Sequence, residues 1–272
     1  MTEEARFAFG KNWQSFLAEL DEERIAQAVR SLQQLLGLET LEGKRFLDLG
    51  CGSGLFSLAA QRLGADVISI DYDKFSVACS EELRKRFGSE SLQWDIKQGS
   101  VLDSVLMQGL GRADVVYSWG VLHHTGDMDK AISMAADRTK YDGLFCLAIY
   151  NDQGGGSRRW LRIKKIYNAL PTWLRFFWVL GVGGVYECKF ALARLACFRN
   201  PLPFRDWHAK RQDRGMSVWH DWVDWIGGLP FEVAKPEEII VPLRQRGFVL
   251  ENMRTVASGW GCNEFVFSKA QT

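Results

Sequence analysis

Arg45-Phe46-Leu47-Asp48-Leu49-Gly50-Cys51-Gly52-Ser53-Gly54 is the stretch on which the reading of this chain turns. Phe46, Leu47 and Leu49 predict a short buried strand. Gly50, Gly52 and Gly54, at every second position, predict a tight turn, and Leu55 to Leu63 an apolar-rich helix. Strand, glycine turn and helix together let the backbone approach a ligand with no side chain in the way. The same geometry serves dinucleotides, flavins and other adenosine ligands, and it also serves turns that bind nothing. Leu55 stands where a dinucleotide fingerprint, Gly-x-Gly-x-x-Gly, would put its third glycine.

Working outward, Asp66 to Ile70 reads as the next strand and ends in Asp71, about twenty residues after the turn, where a carboxylate can accept bonds from both hydroxyls of a ribose. Further on, a predicted fourth strand, Ala113 to Tyr117, runs into Ser118-Trp119-Gly120-Val121-Leu122-His123-His124. On these three motifs, in this order, the chain resembles the class I S-adenosylmethionine-dependent methyltransferases. The resemblance implies S-adenosylmethionine as cofactor. It implies that Gly50, Cys51, Gly52 and Gly54 lie along the methionine part, that Asp48 sits near its amino group, and that Asp71, with Tyr72 beside it, holds the ribose. Ser100 and Val101 fall where the adenine is held; many relatives carry an acidic residue at the position of Ser100. Ser118 and Trp119 face the place of methyl transfer. Asn12 and Trp13 either fold over the cofactor mouth, as an arm does in similar enzymes, or pack Trp13 into the core.

The chain has 272 residues, enough for one α/β domain with an insertion. Lys+Arg 34 against Asp+Glu 33 leaves a net charge of +1. That balance offers no general attraction to nucleic acid, and no nucleic-acid partner is expected. Six cysteines lie without a Cys-x-x-Cys pair, and Cys51, Cys79 and Cys146 have apolar or helical surroundings. They read as reduced residues of a cytoplasmic protein. Met1-Thr2-Glu3-Glu4 lacks the basic and apolar regions of a signal peptide. Nor is there a run of about 18 apolar residues, so no transmembrane segment is expected.

Alternating strand and helix signals up to Tyr150 imply a parallel sheet with right-handed crossovers. They give an α/β, Rossmann-like methyltransferase domain over 1–152, with an N-terminal helical arm, 1–42. A helix from Pro236 and a closing hairpin, Phe248 to Val256 and Cys262 to Phe267, match the end of the family's seven-stranded, mostly parallel sheet with its antiparallel edge strand. The domain would thus resume over 236–272, with a helical cap, 153–235, inserted after the fifth strand. Gly154-Gly155-Gly156 opens that insertion like a hinge. Arg158, Arg159, Arg162, Lys164 and Lys165 follow, read either as a solvated helix face or as an anion site for the substrate. Trp173 to Phe198 is the most apolar stretch, interrupted by Gly181, Gly183 and Gly184. It reads as too short to span a bilayer. It is left as a cap core, a pocket lining, or a peripheral membrane contact.

Methyl transfer needs an acceptor in line with the sulfonium methyl, exclusion of water and, for a hydroxyl, a base. The chain has four histidines. His123 and His124 stand at the end of the fourth strand and His220 on a predicted cap helix; His208 lies in an irregular connection. Either His124 or His220 is expected as base, with Asp221 or Asp224 orienting the acceptor and His123 a further candidate. Asn151 and Asp152 occupy places used by metal-dependent catechol-type relatives, but Ser118 replaces the third ligand, and no metal is expected. The favoured function is O-methylation of a small molecule. The alternatives are N- or C-methylation of a lipid- or sugar-linked metabolite, and a non-catalytic cofactor-binding module. The oligomeric state is not legible.

Overall fold

The computed structural model describes residues 20–198, 200–202, 218–257 and 259–271. Asn12, Trp13 and His208 lie outside them, as do the side chains of Val218, His220, Asp221 and Asp224.

The chain enters through helix α1 (Glu22–Leu36), capped at one end by Asp21, which accepts from the Arg24 amide at 2.9 Å, and closed at the other by Gly37 in the left-handed region. Strand β1 (Arg45–Leu49) leads into helix α2 (Leu55–Arg62). β2 (Asp66–Asp71), α3 (Lys74–Phe87), β3 (Trp94–Gln98), α4 (Ser104–Gly109), β4 (Ala113–Trp119), α5 (Met128–Ala136) and β5 (Thr139–Tyr150) repeat the pattern. The insertion contributes α6 (Gly155–Ala169), α7 (Thr172–Ala196) and α8 (Val218–Gly227), and the chain closes with α9 (Pro236–Gln245), β6 (Phe248–Arg254) and β7 (Cys262–Lys269).

The seven strands form one sheet in the order β3-β2-β1-β4-β5-β7-β6. The β1–β2, β1–β4, β2–β3 and β4–β5 pairs are parallel; β7 runs antiparallel to both β5 and β6. This is the Rossmann-like sheet the sequence implied, with one correction. The antiparallel strand is not at the edge. It inserts between β5 and β6, because the β6–β7 hairpin returns toward the sheet centre and buries Phe265, Val266 and Phe267.

The pleat of β1 shows why the sheet is covered on both sides. Phe46 packs with Ile25, Leu32 and Leu58 under α1 and α2, and its neighbour Leu47 packs with Met107, Ile132 and Leu243 on the opposite face. Strands buried on both faces must be apolar on both, which is what β1 and β4 are.

The insertion has its own apolar cluster, built on Trp160, Tyr167, Val179, Tyr186 and Ile226. Trp160 stacks on Tyr186 with centroids 5.0 Å apart, joining α6 to α7. The insertion's two ends meet at the sheet. Asn151 and Ala234 form a parallel bridge, the Asp152 amide donates to the Ala234 carbonyl, and the Ala234 amide to the Tyr150 carbonyl. A second correction concerns α7. It runs unbroken for 25 residues through all three glycines, and it is long and apolar enough to cross a membrane. Gly183 lies on its inner face, where a Cβ would stand 3.4 Å from the Trp222 ring, an ordinary van der Waals contact.

Candidate functional site: a glycine turn beneath two carboxylates

Gly50, Gly52 and Gly54 have φ of 86, 56 and 82°, the left-handed backbone that glycine adopts without strain. A Cβ on Gly50 would lie 2.4 Å from the Val121 side chain, so the turn after β1 is pressed against the turn after β4. The Gly50 and Cys51 amides both donate to the Ile70 carbonyl, tying the turn to β2.

Two carboxylates bracket this turn. Asp71, half-buried at the end of β2, accepts from the Gly52 amide at 2.9 Å and from the Asp73 amide at 2.8 Å. Burial outweighs those bonds and pushes its carboxyl up to about 6. Asp48 is buried beneath the turn. A chain of donors ends on it: Trp94 Nε1–H donates to Ser69 Oγ at 2.8 Å, Ser69 and Ser57 stand 2.7 Å apart, and Ser57 Oγ donates to Asp48 Oδ2 at 2.6 Å. Ser57 gives its one hydroxyl hydrogen to Asp48, so it accepts from Ser69, which in turn accepts from the indole. Burial raises the Asp48 carboxyl to about 7, against the lowering effect of Ser57.

The other expected cofactor contacts divide. Tyr72 and Trp119 are exposed beside the carboxylates, and the Trp119 indole N–H is tied to Glu264 at 2.8 Å. Ser100 Oγ accepts from the Leu102 amide, and Val101 is buried with the apolar core. Ser118 donates its hydroxyl to the Leu49 carbonyl at 2.8 Å and is fully buried, so it pins β4 to β1 and offers the cleft backbone alone. The Cys51 thiol stands 3.4 Å from Ser80 Oγ, and burial raises it well above its usual value.

Beyond Gly120 the chain makes one 3-10 turn, Leu122–His124. His123 is fully buried against the Tyr150 ring, centroids 4.0 Å apart, with the Ala148 backbone as its polar neighbour. Burial holds it well below the usual imidazole range. His124 Nδ1 lies 2.6 Å from the Pro230 carbonyl; a carbonyl only accepts, so Nδ1 carries the proton and Nε2 the lone pair. Burial, aided by the charge of Lys164, lowers His124 to about 4. Neither histidine of this pair has the near-neutral pKa expected of the base, because burial disfavours the charged imidazolium in both.

The enclosure comes from the insertion. Glu232 reaches across, accepting from the Gly126 and Met128 amides at the start of α5, and its own amide donates to the His123 carbonyl. Tyr150 packs on Trp225 and Phe231, with centroids 5.3 and 5.6 Å away. Lys164 points inward, fully buried. It donates to the Trp225 carbonyl and sits 4.8 Å from the centre of the Phe231 ring. The sequence reading took Lys164 as part of a charged run. Its spacing from Trp160 and Tyr167, four before and three after, was the available signal of an inward position. Asn151 bonds to Ala257 and Asn263, and Asp152 caps Gly154; among the described residues no group of three His, Cys, Asp or Glu could hold a metal.

Residues 20–221 match the family model described as a methyltransferase domain. The chain belongs to this family. The glycine cradle with its two carboxylates fits the S-adenosylmethionine that the sequence resemblance implies. A ubiquinone biosynthesis O-methyltransferase from Brucella melitensis biotype 2 is 35% identical over 111 residues, 41% of this chain and 43% of that one. A relative of the same name from Azorhizobium caulinodans is 28% identical over 114 residues. The chain thus spans less than half the length of the curated relatives it matches. Among solved structures, magnesium protoporphyrin IX methyltransferase from Synechocystis PCC 6803 with S-adenosylhomocysteine bound has a TM-score of 0.54 at 16% identity, over 90% of this chain and 83% of that one. PKMT2 from Rickettsia typhi, in complex with the same product, gives 0.56 at 13% identity, over 90% and 52%. These likenesses show the fold.

Proposed function

We propose that this methyltransferase transfers a methyl group from S-adenosylmethionine to the hydroxyl oxygen of a small, ring-bearing acceptor, most suitably a phenol. The observation that carries this is the juxtaposition of His124, Tyr150, Trp225, Phe231 and Lys164 at the carboxyl ends of β4 and β5, where open α/β sheets bind ligands. The O-methyltransferase names of the curated relatives support the choice of oxygen.

When bound, S-adenosylmethionine supplies an electrophilic methyl on a positively charged sulfur. The chain's part is to position, to dry the site and to move a proton. Neutral across the physiological range, His124 can take the hydroxyl proton on Nε2 as the new C–O bond forms. With a conjugate acid near 4 it is a weak base, suited to an acidic hydroxyl rather than an aliphatic alcohol. The same Lys164 charge that disfavours an imidazolium would favour a phenolate. His220 and Asp221, on α8, are proposed to complete the acceptor side; Trp13 is proposed to cover the cofactor.

The test is incubation of the purified chain with S-adenosylmethionine and matched phenols, aliphatic alcohols and amines, read by mass spectrometry. Phenols should gain one methylene in mass. Methylation confined to amines would overturn the oxygen assignment, and no acceptor-dependent release of S-adenosylhomocysteine would overturn the activity. His220→Ala should cut turnover by about a hundredfold at unchanged cofactor affinity; a fully active variant removes His220 from the site.

A further inference from the structure

The insertion holds a feature that methyl transfer does not use. The outer side of α7 is apolar and exposed. Trp173, Phe177, Leu180, Leu192 and Leu195 recur at helical spacing, with Phe177 62% and Leu192 67% exposed. In the most apolar 18-residue window of this helix only 11% is buried. A soluble protein rarely leaves so long an apolar stripe open unless something covers it.

Charge says what covers it. The chain as a whole carries +1, yet Gly155–Ala196 holds eight Lys and Arg against the single acid Glu187, a net +7. Arg158, Arg159, Arg162 and Lys165 are exposed on the outer side of α6. Lys164 alone of that run faces in, and Glu187 lies 3.8 Å from Arg194. The inner faces of α6 and α7 share one aromatic cluster, so the cationic row and the apolar stripe are both outward faces of one helical hairpin. A second copy of this chain would bring +7 against +7. An anionic bilayer surface matches both properties, accepting apolar side chains at the headgroup boundary and attracting each cation.

We propose that the α6–α7 hairpin docks on anionic lipid, with α7 lying along the interface rather than crossing it. The proposal goes beyond methyl transfer and stands independently of the acceptor.

Flotation of the full chain with vesicles tests it, using phosphatidylcholine alone or with a one-third fraction of phosphatidylglycerol. The chain should float with the anionic vesicles at low salt, bind the neutral ones at least about tenfold more weakly, and be released by high salt or alkaline carbonate. Phe177→Glu with Leu180→Glu should weaken anionic binding by about tenfold or more. Arg158→Glu with Arg162→Glu should erase the preference for anionic lipid. Unchanged S-adenosylmethionine affinity in both pairs certifies the fold. Equal binding to both vesicle types, or none, overturns the proposal. Retention through carbonate would make α7 a spanning helix. A dimer in sedimentation velocity that Phe177→Glu dissolves, without vesicle binding, would make the stripe a self-association face.

Discussion

The glycine turn and the histidine turn of this chain bury ionisable groups of opposite kind. Beneath the glycine turn, burial raises two carboxyls, Asp48 to about 7 and Asp71 to about 6. Under the insertion, burial lowers two histidines, His124 to about 4 and His123 well below its usual value. One physical cause, exclusion of water from a charged form, makes both halves prefer neutrality when empty. The consequences differ. A bound cofactor brings an ammonium and a sulfonium that can restore charge to the carboxylates. The histidines have Lys164 nearby, which pushes them further from charge. The comparison teaches that the glycine turn favours a cationic ligand, which would restore charge to its carboxylates, whereas the histidine turn favours an uncharged one.

The largest expected effect breaks the cofactor half. Gly52→Val puts a β-branched residue at a φ of 56° inside the cradle. Calorimetry should show cofactor affinity falling by more than about a hundredfold, with near-native circular dichroism. Normal binding would mean the turn is not the methionine cradle. Asp71→Ala comes next, at about 1.5–3 kcal/mol, for the loss of charge-assisted bonds to a ribose.

Asp48→Asn sharpens the contrast because it should move binding and stability in opposite directions. A carboxyl raised to about 7 in the fold is destabilising above that pH and gains protons relative to the unfolded chain as pH falls toward 4. The variant without ligand should therefore be more stable than the parent at pH 8, by between about 1 and 4 kcal/mol, while binding cofactor weakly. A lower melting temperature at pH 8 would contradict this. For the histidines the sign reverses. Lowered in the fold, they stabilise fully above about 6.5, and that stability is lost as pH falls toward the His124 value of about 4.

Cofactor affinity should accordingly drop as pH is lowered through about 7 and 6, with proton release on binding in that range, measured by calorimetry in buffers of different ionisation enthalpy. Turnover at saturating cofactor should show no limb near 6.5 from His124. The smallest effect is Lys164→Met. Removing the cation should raise the His124 pKa above about 4 by a fraction of a unit to about one unit, followed by NMR titration.

The glycine turn and its two carboxylates were legible in the sequence because their signals are local. Three glycines at alternate positions, a strand on either side and Asp71 at the end of β2 all act within one βαβ unit. The cover over the histidine turn was not, because its groups come from separated segments. His124 meets Pro230, and Lys164 meets Trp225 and Phe231, across folds of chain that no spacing records. α7 was misread for a different reason. Glycine argues against helix by propensity, but at about 1 kcal/mol per residue that is too little to break a helix held by the packing of Tyr186 on Trp160 and Trp222. The place of β7 inside the sheet was illegible too, since a hairpin has the same pattern whichever strand joins its neighbour.

The bridge between Asn151 and Ala234 has a consequence for how such an enzyme can be altered. Because the insertion leaves and rejoins the sheet at adjacent residues, the strands beneath it register its two ends and not its length or content. Closing a loop costs little more when the loop grows, and an element with juxtaposed ends can be exchanged as a cassette. Residues 153–233 are therefore the natural unit for grafting: a foreign module joined at Asp152 and Ala234 would leave the glycine turn intact, and would need its own counterparts of Glu232 and Pro230 over the histidine turn and of Trp225 and Phe231 against Tyr150.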